Sequence, residues 1–345
     1  MIIFRADGNK KIGSGHIMRC LSIADALHDK GLDSVFVTAD DSVSGLLRER
    51  GYKNVVLNLD YRNLEEELEL FFSLEALPHS EMVVVDSYYA TDYYFKKLSE
   101  YKKIAYIDDL LLDRPVDTII NYNVFADAKA YNQERRLILG PSYAPLRKAF
   151  QSVKPIEIKE IVKKVLFLAG GSDPEHAALG FAKELLHHED EVKYTIVAGS
   201  LSEDYDELKK ISITSGNRIS VLKNVSNMDK LMMDSDVAIS ASGSTLYELC
   251  ACGVPTISYV LADNQVLAAN CFEEKGAMVY GGDLREDGHA FVKLYSLLKD
   301  LMNNPEKRRE LASKAGNIVD GKGAERLAGE ILTIVQAGTK KKVPE

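Results

Sequence analysis

The sequence of 345 residues predicts an α/β protein with two doubly wound parallel-sheet domains that face one cleft. Short apolar runs alternate with helical patterns along nearly the whole chain. A polar, proline-flanked segment interrupts the alternation between Pro145 and Pro155, and a second, similar series begins at Lys164. We therefore expect an N-terminal domain over residues 1–152 and a C-terminal domain over 153–340, with the last helices packing back towards the first domain.

The individual elements follow from apolar runs of strand length and from longer stretches with helical spacing. In the first domain the predicted strands are Ile2–Arg5, Ser34–Thr38, Asn54–Leu57, Met82–Asp86, Lys103–Ile107 and Thr118–Asn121, and the clearest helices are Ile17–Lys30 and Asp92–Tyr101. In the second domain the predicted strands are Lys164–Ala169, Tyr194–Ala198, Ile219–Leu222, Val237–Ser240 and Thr256–Tyr259, with helices at 289–303 and 324–336.

Composition excludes several classes of function. Hydrophobic residues make up 46% of the chain, and the formal net charge of −9 leaves no broad basic surface for nucleic acid or acidic lipid. No run approaches the ~18 apolar residues of a membrane span, so we expect a cytoplasmic protein without stable membrane insertion. Cys250-Ala-Cys252 has no partner at metal-binding spacing, so we expect no metal. The oligomeric state is left open.

The chain opens with a strand, a glycine loop and a helix, and a histidine stands where that helix begins. Gly13, Gly15 and His16 fall within four residues. Glycines let the backbone approach a ligand, helix N–H groups favour an anion, and an imidazole exchanges a proton near neutral pH. The pattern indicates a functional site, although a plain strand–turn–helix joint with an incidental histidine is the alternative interpretation.

Polar side chains follow several predicted strands at the edge where ligands of open parallel sheets collect. Asp86 and Tyr88 follow one strand, and Asp109 and Asn123 follow the next two. Either aspartate can act at a site or cap a helix. Tyr88 can contact a sugar or simply pack, and Asn123 can bind hydroxyl groups or stabilise a turn. The sequence leaves these alternatives open.

Two further glycine-rich junctions occur in the second half, at Gly170–Asp173 and Ser242–Thr245. Both predict a helix start whose N–H groups and hydroxyls can hold a diphosphate. Neither is a P-loop or a GxGxxG fingerprint, which excludes ATP bound in the Walker manner and NAD bound in the Rossmann manner. Glu248 either completes a capping box with Thr245 or accepts hydrogen bonds from ribose hydroxyls.

Together these motifs resemble the GT-B fold of glycosyltransferases, its MurG-like branch and, more closely, the PseG family of UDP-sugar hydrolases. The run from Arg5 and Asp7 through Gly13, Gly15 and His16 is the most specific part, whereas the later glycine loops are shared by many nucleotide-sugar enzymes. The matching segments span about residues 2–275 and are Phe4–Asp7, Ile12–Arg19, Val85–Tyr88, Ile107–Asp109, Asn121–Asn123, Gly140–Arg147, Gly170–Asp173, Ser240–Ser244 with Glu248, and Asn264–Gln265.

The resemblance implies two Rossmann-like domains and an enzyme without metal or cofactor. Its substrate would be UDP-2,4-diacetamido-2,4,6-trideoxy-β-L-altropyranose, hydrolysed with inversion to UDP and free sugar for pseudaminic acid, polysaccharide and flagellin glycosylation pathways. The alternative is a MurG-like glycosyltransferase that moves the sugar to a lipid or glycan. A nucleotide-sugar-binding module without catalysis is a third hypothesis.

The resemblance also implies a role for each matching residue. His16 would be the general base. The substrate-binding residues would be Arg5, Asp7, Gly13, Gly15, Arg19, Tyr88, Asp109, Asn123, Arg147, Asn264 and Gln265. Within this set Arg5 and Arg19 would support the loop or the charge near it. The UDP-binding residues would be Gly170, Gly171, Ser172, Asp173, Val225, Ser242, Gly243, Ser244, Thr245 and Glu248. Main-chain groups of the loop at Val225 would recognise uracil.

Overall fold

The computed structural model describes residues 1–9, 11–171, 173–199, 202–216, 218–286 and 288–339. The chain forms two compact units, one of Met1–Lys148 with Lys322–Glu345 and the other of Ala149–Gly321. Each unit contains one parallel sheet, and helices lie in most of the connections between its strands. The predicted α/β class with two parallel sheets is confirmed.

The first unit contains a seven-stranded sheet in the order β3-β2-β1-β4-β5-β6-β7. Its strands are β1 Ile2–Ala6, β2 Ser34–Thr38, β3 Lys53–Val56, β4 Met82–Asp86, β5 Lys103–Ile107, β6 Thr118–Asn121 and β7 Arg136–Leu139. Its helices are α1 Gly15–His28, α2 Ser44–Glu49, α3 Leu68–Phe72, α4 Ala76–His79, α5 Asp92–Ser99 and the last helix, α13 Gly323–Thr339, while Leu64–Glu67, Ala128–Ala130 and Pro141–Tyr143 form 3₁₀ turns.

The centre of this sheet is apolar on both faces except near its carboxyl edge, where β1 contains Arg5 and β4 ends in Asp86. Every residue of β1 and β4 is buried. The strand order reverses between these two neighbours, and Ala6 pairs with Asp86 at their carboxyl ends. In doubly wound sheets such a reversal opens a crevice at the carboxyl edge, where ligands bind. The segments after β1 and β4 are therefore the place to look for a site.

The last helix of the described chain completes the first unit. Helix α13 packs against α1, and Arg326 donates a hydrogen bond to the carbonyl oxygen of Ser142 at 2.8 Å. Gly323 allows the close start of this helix, because a Cβ there would lie 2.1 Å from the carbonyl oxygen of Ala144. The first unit is therefore built from both ends of the chain.

The second unit contains a six-stranded sheet in the order β10-β9-β8-β11-β12-β13. Its strands are β8 Lys164–Leu168, β9 Lys193–Ala198, β10 Ile219–Lys223, β11 Val237–Ala241, β12 Thr256–Val260 and β13 Val279–Asp283. Its helices are α6 Ala177–Leu185, α7 Tyr205–Thr214, α8 Met228–Met233, α9 Thr245–Cys252, α10 Asp263–Glu274, α11 Ala290–Asn303 and α12 Pro305–Ile318, and a 3₁₀ turn covers Lys148–Phe150. Here the reversal lies between β8 and β11.

Sequence patterns missed one edge strand in each sheet. Strand β7 begins with a charged, exposed Arg136, and β13 contains Gly281 and Gly282 where a strand pattern calls for branched residues. Gly281 is required by packing, because a Cβ there would lie 2.4 Å from Leu294 Cδ2. Both strands depend on pairing with a neighbour that the local sequence does not reveal.

In the described part of the chain, no helix combines the length and the apolar character needed to cross a membrane.

Candidate functional site

The loop between β1 and α1 turns back on itself before the helix begins. The backbones of Asn9 and Gly13 pair through hydrogen bonds of 2.8 and 3.2 Å, and the Asn9 side chain accepts from the N–H of Lys11 at 2.9 Å. Gly13 has a φ of 73°, which favours glycine. A Cβ built on Gly13 or Gly15 would meet no atom within 4 Å, so the loop leaves room beside the helix start.

His16 is the second residue of α1 and lies beside Tyr88, which follows β4. The two ring centroids are 4.7 Å apart and the ring planes are nearly perpendicular, at 80°. The imidazole is 8% exposed. Within the described ranges no protein atom is hydrogen-bonded to either ring nitrogen of His16, so both nitrogens are available to a ligand or a water. The structure thus brings the predicted base to the strand-order reversal.

Arg19, one helical turn after His16, joins α1 to two strand ends. Its guanidinium donates to both carboxylate oxygens of Asp86, at 2.5 and 2.6 Å, and to Asp109 at 2.7 Å. It also donates to the Tyr122 hydroxyl at 2.8 Å. These contacts occupy an almost fully buried side chain. All of these contacts are internal to the first unit, which fits the expectation that Arg19 supports the loop or the charge near it. A direct contact of Arg19 with substrate stays a prediction.

Asp109 connects this ion pair to the residues around His16. One of its oxygens accepts from Arg19 and from the Tyr88 hydroxyl, at 2.7 and 3.0 Å, and the other accepts from the Asn123 amide at 2.9 Å. Neither Asp86 nor Asp109 therefore acts as the helix cap considered from the sequence. The cap of α5 is Thr91, whose side chain accepts from the N–H of Tyr94.

The ionisation of the cluster follows from burial and from the Arg19 charge. Burial raises the pKa of Asp109, but the Arg19 charge, the bonds from Asn123 and Arg19, and the His16 ring together lower it below its usual range. Burial lowers the pKa of Arg19, yet Asp109 and Asp86 raise it well above its ordinary value. Burial and the Asp109 charge raise the pKa of Tyr88. At neutral pH the cluster holds ionised Asp109, charged Arg19 and a neutral phenol.

Arg5 and Asp7 belong to a second buried ion cluster. The guanidinium of Arg5 has no exposed surface; it donates to Asp7 at 2.5 Å and to Glu67 at 2.7 to 2.9 Å. The other Asp7 oxygen accepts from the Ala39 N–H at 2.7 Å. Tyr94 also donates to Glu67, at 2.7 Å. Arg5 therefore holds Asp7 in place, which fits the expectation that it supports the loop, and its direct contact with substrate stays a prediction.

The sequence did not predict that Glu67 and Tyr122 take part in the two buried clusters. Glu67 stands in an acidic run within a 3₁₀ turn, and nothing local distinguishes it from Glu65 and Glu66. Tyr122 lies between the two asparagines that did attract attention. Their partners lie 62 and 103 residues away along the chain, so a single sequence carries no signal for either contact.

In the second unit, the start of α9 offers two backbone donors. The helix begins at Thr245, and the N–H groups of Leu246 and Tyr247 are bonded to the carbonyls of Gly243 and Ser244. The N–H groups of Ser244 and Thr245 have no acceptor within the described chain. The N-terminus of this helix can therefore bind an anion. Ser242 is occupied, since its hydroxyl donates to the carbonyl of Tyr259 at 2.8 Å.

The structure does not form the capping box that was one of the two alternatives for Thr245 and Glu248. Thr245 is the first residue of α9, so Ser244 is the cap residue, and it makes no side-chain bond into the helix. A capping box needs its acid three residues after the cap, which is the position of Tyr247. Glu248 stands one residue later and is half-buried in the first turn.

The helix start predicted at Gly170–Asp173 is wrong. Helix α6 begins at Ala177, and the Asp173 carboxylate accepts from the N–H groups of Ala177 and Ala178 at 2.8 and 3.0 Å. The Asp173 side chain thus satisfies two N–H donors at the start of α6, and its contact with UDP stays a prediction. Ser172 lies outside the described residues.

The glycine turn itself lies against the end of β9. A Cβ on Gly199 would stand 2.1 Å from the carbonyl oxygen of Gly171, so the two loops touch through their backbones. Gly170 has a φ of 86°. Val225 is half-buried in the loop after β10, next to Asn224, whose φ is 56°. These loops share the carboxyl edge of the second sheet with the start of α9.

The remaining predicted residues are less distinctive. Asn264 is exposed in the first turn of α10, whereas the Gln265 side chain accepts from the N–H of Leu261 at 2.9 Å and so holds the β12–α10 turn. Arg147 is half-buried near the end of Met1–Lys148, the longer of the two segments that form the first unit.

Among the residues that the structure describes, no group of three or more His, Cys, Asp or Glu side chains is arranged to hold a metal ion.

Part of the chain matches a known family model, and most of its length is similar to several named proteins. Residues 165–328 match the family model of the glycosyltransferase family 28 C-terminal domain. The spore coat polysaccharide biosynthesis protein SpsG of Bacillus subtilis is 26% identical over 336 residues, covering 93% of this chain and 95% of that protein. The UDP-2,4-diacetamido-2,4,6-trideoxy-beta-L-altropyranose hydrolase of Campylobacter jejuni is 27% identical over 286 residues, covering 80% and 97%.

A further relative is longer than this chain. Protein MJ1062 of Methanocaldococcus jannaschii is 26% identical over 284 residues, which cover 78% of this chain but 56% of that protein. This chain therefore spans little more than half of the length of its archaeal relative.

Solved structures share the architecture. Acinetobacter baumannii MurG superposes with a TM-score of 0.71 at 11% identity, covering 96% of this chain and 99% of that one. Anabaena Alr3699/HepE in complex with UDP gives 0.61 at 14% identity, covering 96% and 99%. The protein therefore has the GT-B fold predicted from its motifs. Its homologues include proteins named as PseG hydrolases, at 23–27% identity, which confirms the family resemblance.

We expect the Arg19 ion pair to be required for the stability of the first unit. Arg19→Met leaves two buried carboxylates without their cation, so the free energy of unfolding should fall by about 3 kcal/mol or more. Arg50→Met removes an exposed guanidinium bonded to Asp25, and such pairs contribute about 0–1 kcal/mol. Urea unfolding of both variants measures the difference. Equal losses would show that the cluster does not stabilise the unit.

Proposed function

We propose that this protein hydrolyses a UDP-activated 2,4-diacetamido-2,4,6-trideoxyhexose to UDP and free sugar in pseudaminic acid biosynthesis. The observation that carries the proposal is His16, whose two ring nitrogens have no hydrogen-bond partner within the described chain and which lies at the strand-order reversal of the first sheet. The Campylobacter relative and a Helicobacter pylori relative, 23% identical over 330 residues, are named for this activity.

The chemistry requires one base and one stabilised leaving group. A water oxygen attacks the anomeric carbon, the bond from that carbon to the diphosphate oxygen breaks, and the configuration inverts. His16 takes the water proton while the electron pair of the broken bond leaves on UDP. A positioned base of this kind contributes roughly 10²–10⁴-fold to the rate. The sugar and the water would lie beside Gly13 and Gly15, where an added Cβ would meet no atom within 4 Å.

The second unit would bind UDP. The N–H groups of Ser244 and Thr245 would contact the diphosphate, and fixed dipoles of this kind stabilise negative charge that develops during bond cleavage. Glu248, one turn further along α9, would accept hydrogen bonds from the ribose hydroxyls. Backbone groups near Val225 would contact uracil.

In the first unit the sugar would meet oxygen acceptors. The Tyr88 hydroxyl already donates to Asp109, so it would accept a hydrogen bond from the sugar. Asp7, 5% exposed, keeps lone pairs beyond those used by Arg5 and Ala39. Acceptors suit the N–H groups of acetamido substituents and ring hydroxyls. Asn264 and Gln265 of the second unit are proposed as further sugar contacts.

A MurG-like glycosyltransferase is the second candidate, favoured by the family 28 match over 165–328. A transferase that meets a lipid acceptor needs an exposed apolar surface. Helix α5 buries Tyr94, Phe95 and Leu98 in the first unit and leaves Tyr93 54% exposed. Release of UDP and free sugar in equal amounts without acceptor supports the hydrolase, whereas release that needs an acceptor supports the transferase.

His16→Ala should lower kcat at least ~10²-fold and change the Kd for UDP only a few-fold, because a proton-transfer group acts mainly in the transition state. His28→Ala is the matched control: His28 ends the same helix and its side chain is 70% exposed. UDP release and calorimetric UDP titration measure the two quantities. A near-normal kcat for His16→Ala would remove His16 from the mechanism.

Glu248→Gln should weaken UDP binding roughly tenfold, because a neutral amide accepts from two hydroxyls less strongly than a carboxylate, by about 1–2 kcal/mol. Glu306→Gln is the control, since Glu306 stands in the first turn of α12 and is largely exposed. Calorimetry gives the Kd and thermal unfolding gives the Tm. A lower Tm with unchanged UDP affinity would assign Glu248 to the stability of α9 alone.

A further inference from the structure

The charges of the first unit's cluster do not balance while His16 is neutral. Asp86 and Asp109 are both bonded to Arg19, whose guanidinium carries the cluster's positive charge. The cluster of Arg19, Asp86 and Asp109 therefore contains one more negative than positive charge. A buried surplus charge is costly unless another group compensates it.

The surplus negative charge belongs to Asp109 rather than Asp86. Both oxygens of Asp86 accept from Arg19, at 2.5 and 2.6 Å, and its side chain is 1% exposed. Asp109 receives one bond from Arg19, and its other donors, Tyr88 and Asn123, are neutral. Its side chain is 13% exposed, so solvent also screens it incompletely.

A chain of direct contacts leads from Asp109 to His16. The Tyr88 hydroxyl donates to Asp109 at 3.0 Å, and the ring of the same tyrosine packs against the imidazole at 4.7 Å. His16 and Arg19 stand one turn apart on α1, so the ion pair with Asp109 also fixes the backbone that carries the imidazole. Asp109 thus holds His16 from two sides, through Tyr88 and through α1.

We propose that Asp109 is the electrostatic partner and positioning residue of His16, and that it stabilises the imidazolium which forms when His16 removes a proton from water. This inference rests on the proposed hydrolysis for its catalytic half, and it replaces the substrate-binding role predicted for Asp109. When His16 gains the proton, the net charge of Arg19, Asp86, Asp109 and His16 together changes from −1 to zero. The proton transfer therefore relieves an imbalance built into the resting cluster.

The other ionisable groups of the cluster do not compete for this role. Burial and the Asp86 charge raise the pKa of Cys20, so its thiol stays protonated. Burial also raises the pKa of Tyr88 and of Tyr122, which keeps both phenols neutral. The pKa of Asp109 is lowered, with the His16 ring among the causes, so this carboxylate stays charged across the neutral range.

The test is an NMR titration of the His16 ring, whose signal is assigned by its loss in His16→Ala. Asp109→Asn removes the charge and can still accept from Asn123, so the titration midpoint of His16 should fall by roughly 0.5 pH unit or more. Asp92→Asn is the charge-matched control, since Asp92 is 57% exposed and pairs with Arg114. In this variant the titration midpoint of His16 should stay at its wild-type value. Asp109→Glu keeps the charge and should restore most of the shift.

Turnover gives the second readout. In Asp109→Asn, kcat should fall about tenfold with KM within threefold, and the acid limb of the pH profile should move to lower pH. An unchanged His16 midpoint in a folded Asp109→Asn variant overturns the inference, as does an unshifted acid limb. If the wild-type protein does not turn over UDP-sugar in the absence of an acceptor, the proposed hydrolysis is contradicted. The titration needs no substrate, so the NMR result still decides whether Asp109 is the electrostatic partner of His16.

Discussion

The geometry around His16 in the first unit depends on the contacts of the Arg19 guanidinium. It joins α1 to the carboxyl ends of β4 and β5 through Asp86 and Asp109. Without it, the sheet would still fix the strands, but no other described polar contact would tie the first turns of α1 to both strand ends. Because His16 stands one turn before Arg19, the same contact determines where the imidazole lies. Stability and chemistry therefore share one side chain.

The second ion cluster fixes the carboxyl end of β1 in a similar way. Arg5, Asp7 and Glu67 are all buried, and Tyr94 completes the set. Buried ion pairs of this kind are weak contributors to net stability but costly to break, so they favour one arrangement of the chain over its alternatives. Here the arrangement fixes Asp7 at the carboxyl edge, beside the loop that leads to His16. Two buried arginines thus support the two sides of one loop.

Local sequence was sufficient where chemistry and structure are both local. The alternation of apolar strands and helices predicted both sheets, and the spacing of Gly13, Gly15 and His16 predicted the tight turn that leads into α1. It was insufficient where a residue's role is set by distant partners. The sequence suggested that Arg5 and Arg19 support the loop or contact the substrate, but it did not reveal their ion-pair partners Glu67 and Asp86, which lie 62 and 67 residues away along the chain. The sequence also placed the helix start at Asp173, whereas α6 begins at Ala177 and the Asp173 carboxylate accepts from its first N–H groups.

The edge strands show the same limit. Strand β13 contains two glycines, and the structure gives a reason for each. Gly281 packs against Leu294, and Gly282 has a positive φ of 109°. The residue pattern of this segment therefore does not predict a strand. The capping box failed by one residue, because α9 starts at Thr245 and not after it. A shift of one residue in a helix start changes which side chain can bond back to the backbone, and no propensity scale resolves it.

The central claim is that water, activated in the first unit, attacks the sugar rather than the phosphate. Hydrolysis of the UDP-diacetamido-trideoxyhexose in ¹⁸O-labelled water tests it most directly, with mass spectrometry of both products. The account predicts the label in the anomeric hydroxyl of the free sugar, measured before that oxygen exchanges with solvent, and none in UDP. Label in the β-phosphate of UDP would show that the phosphorus–oxygen bond breaks and would contradict the account.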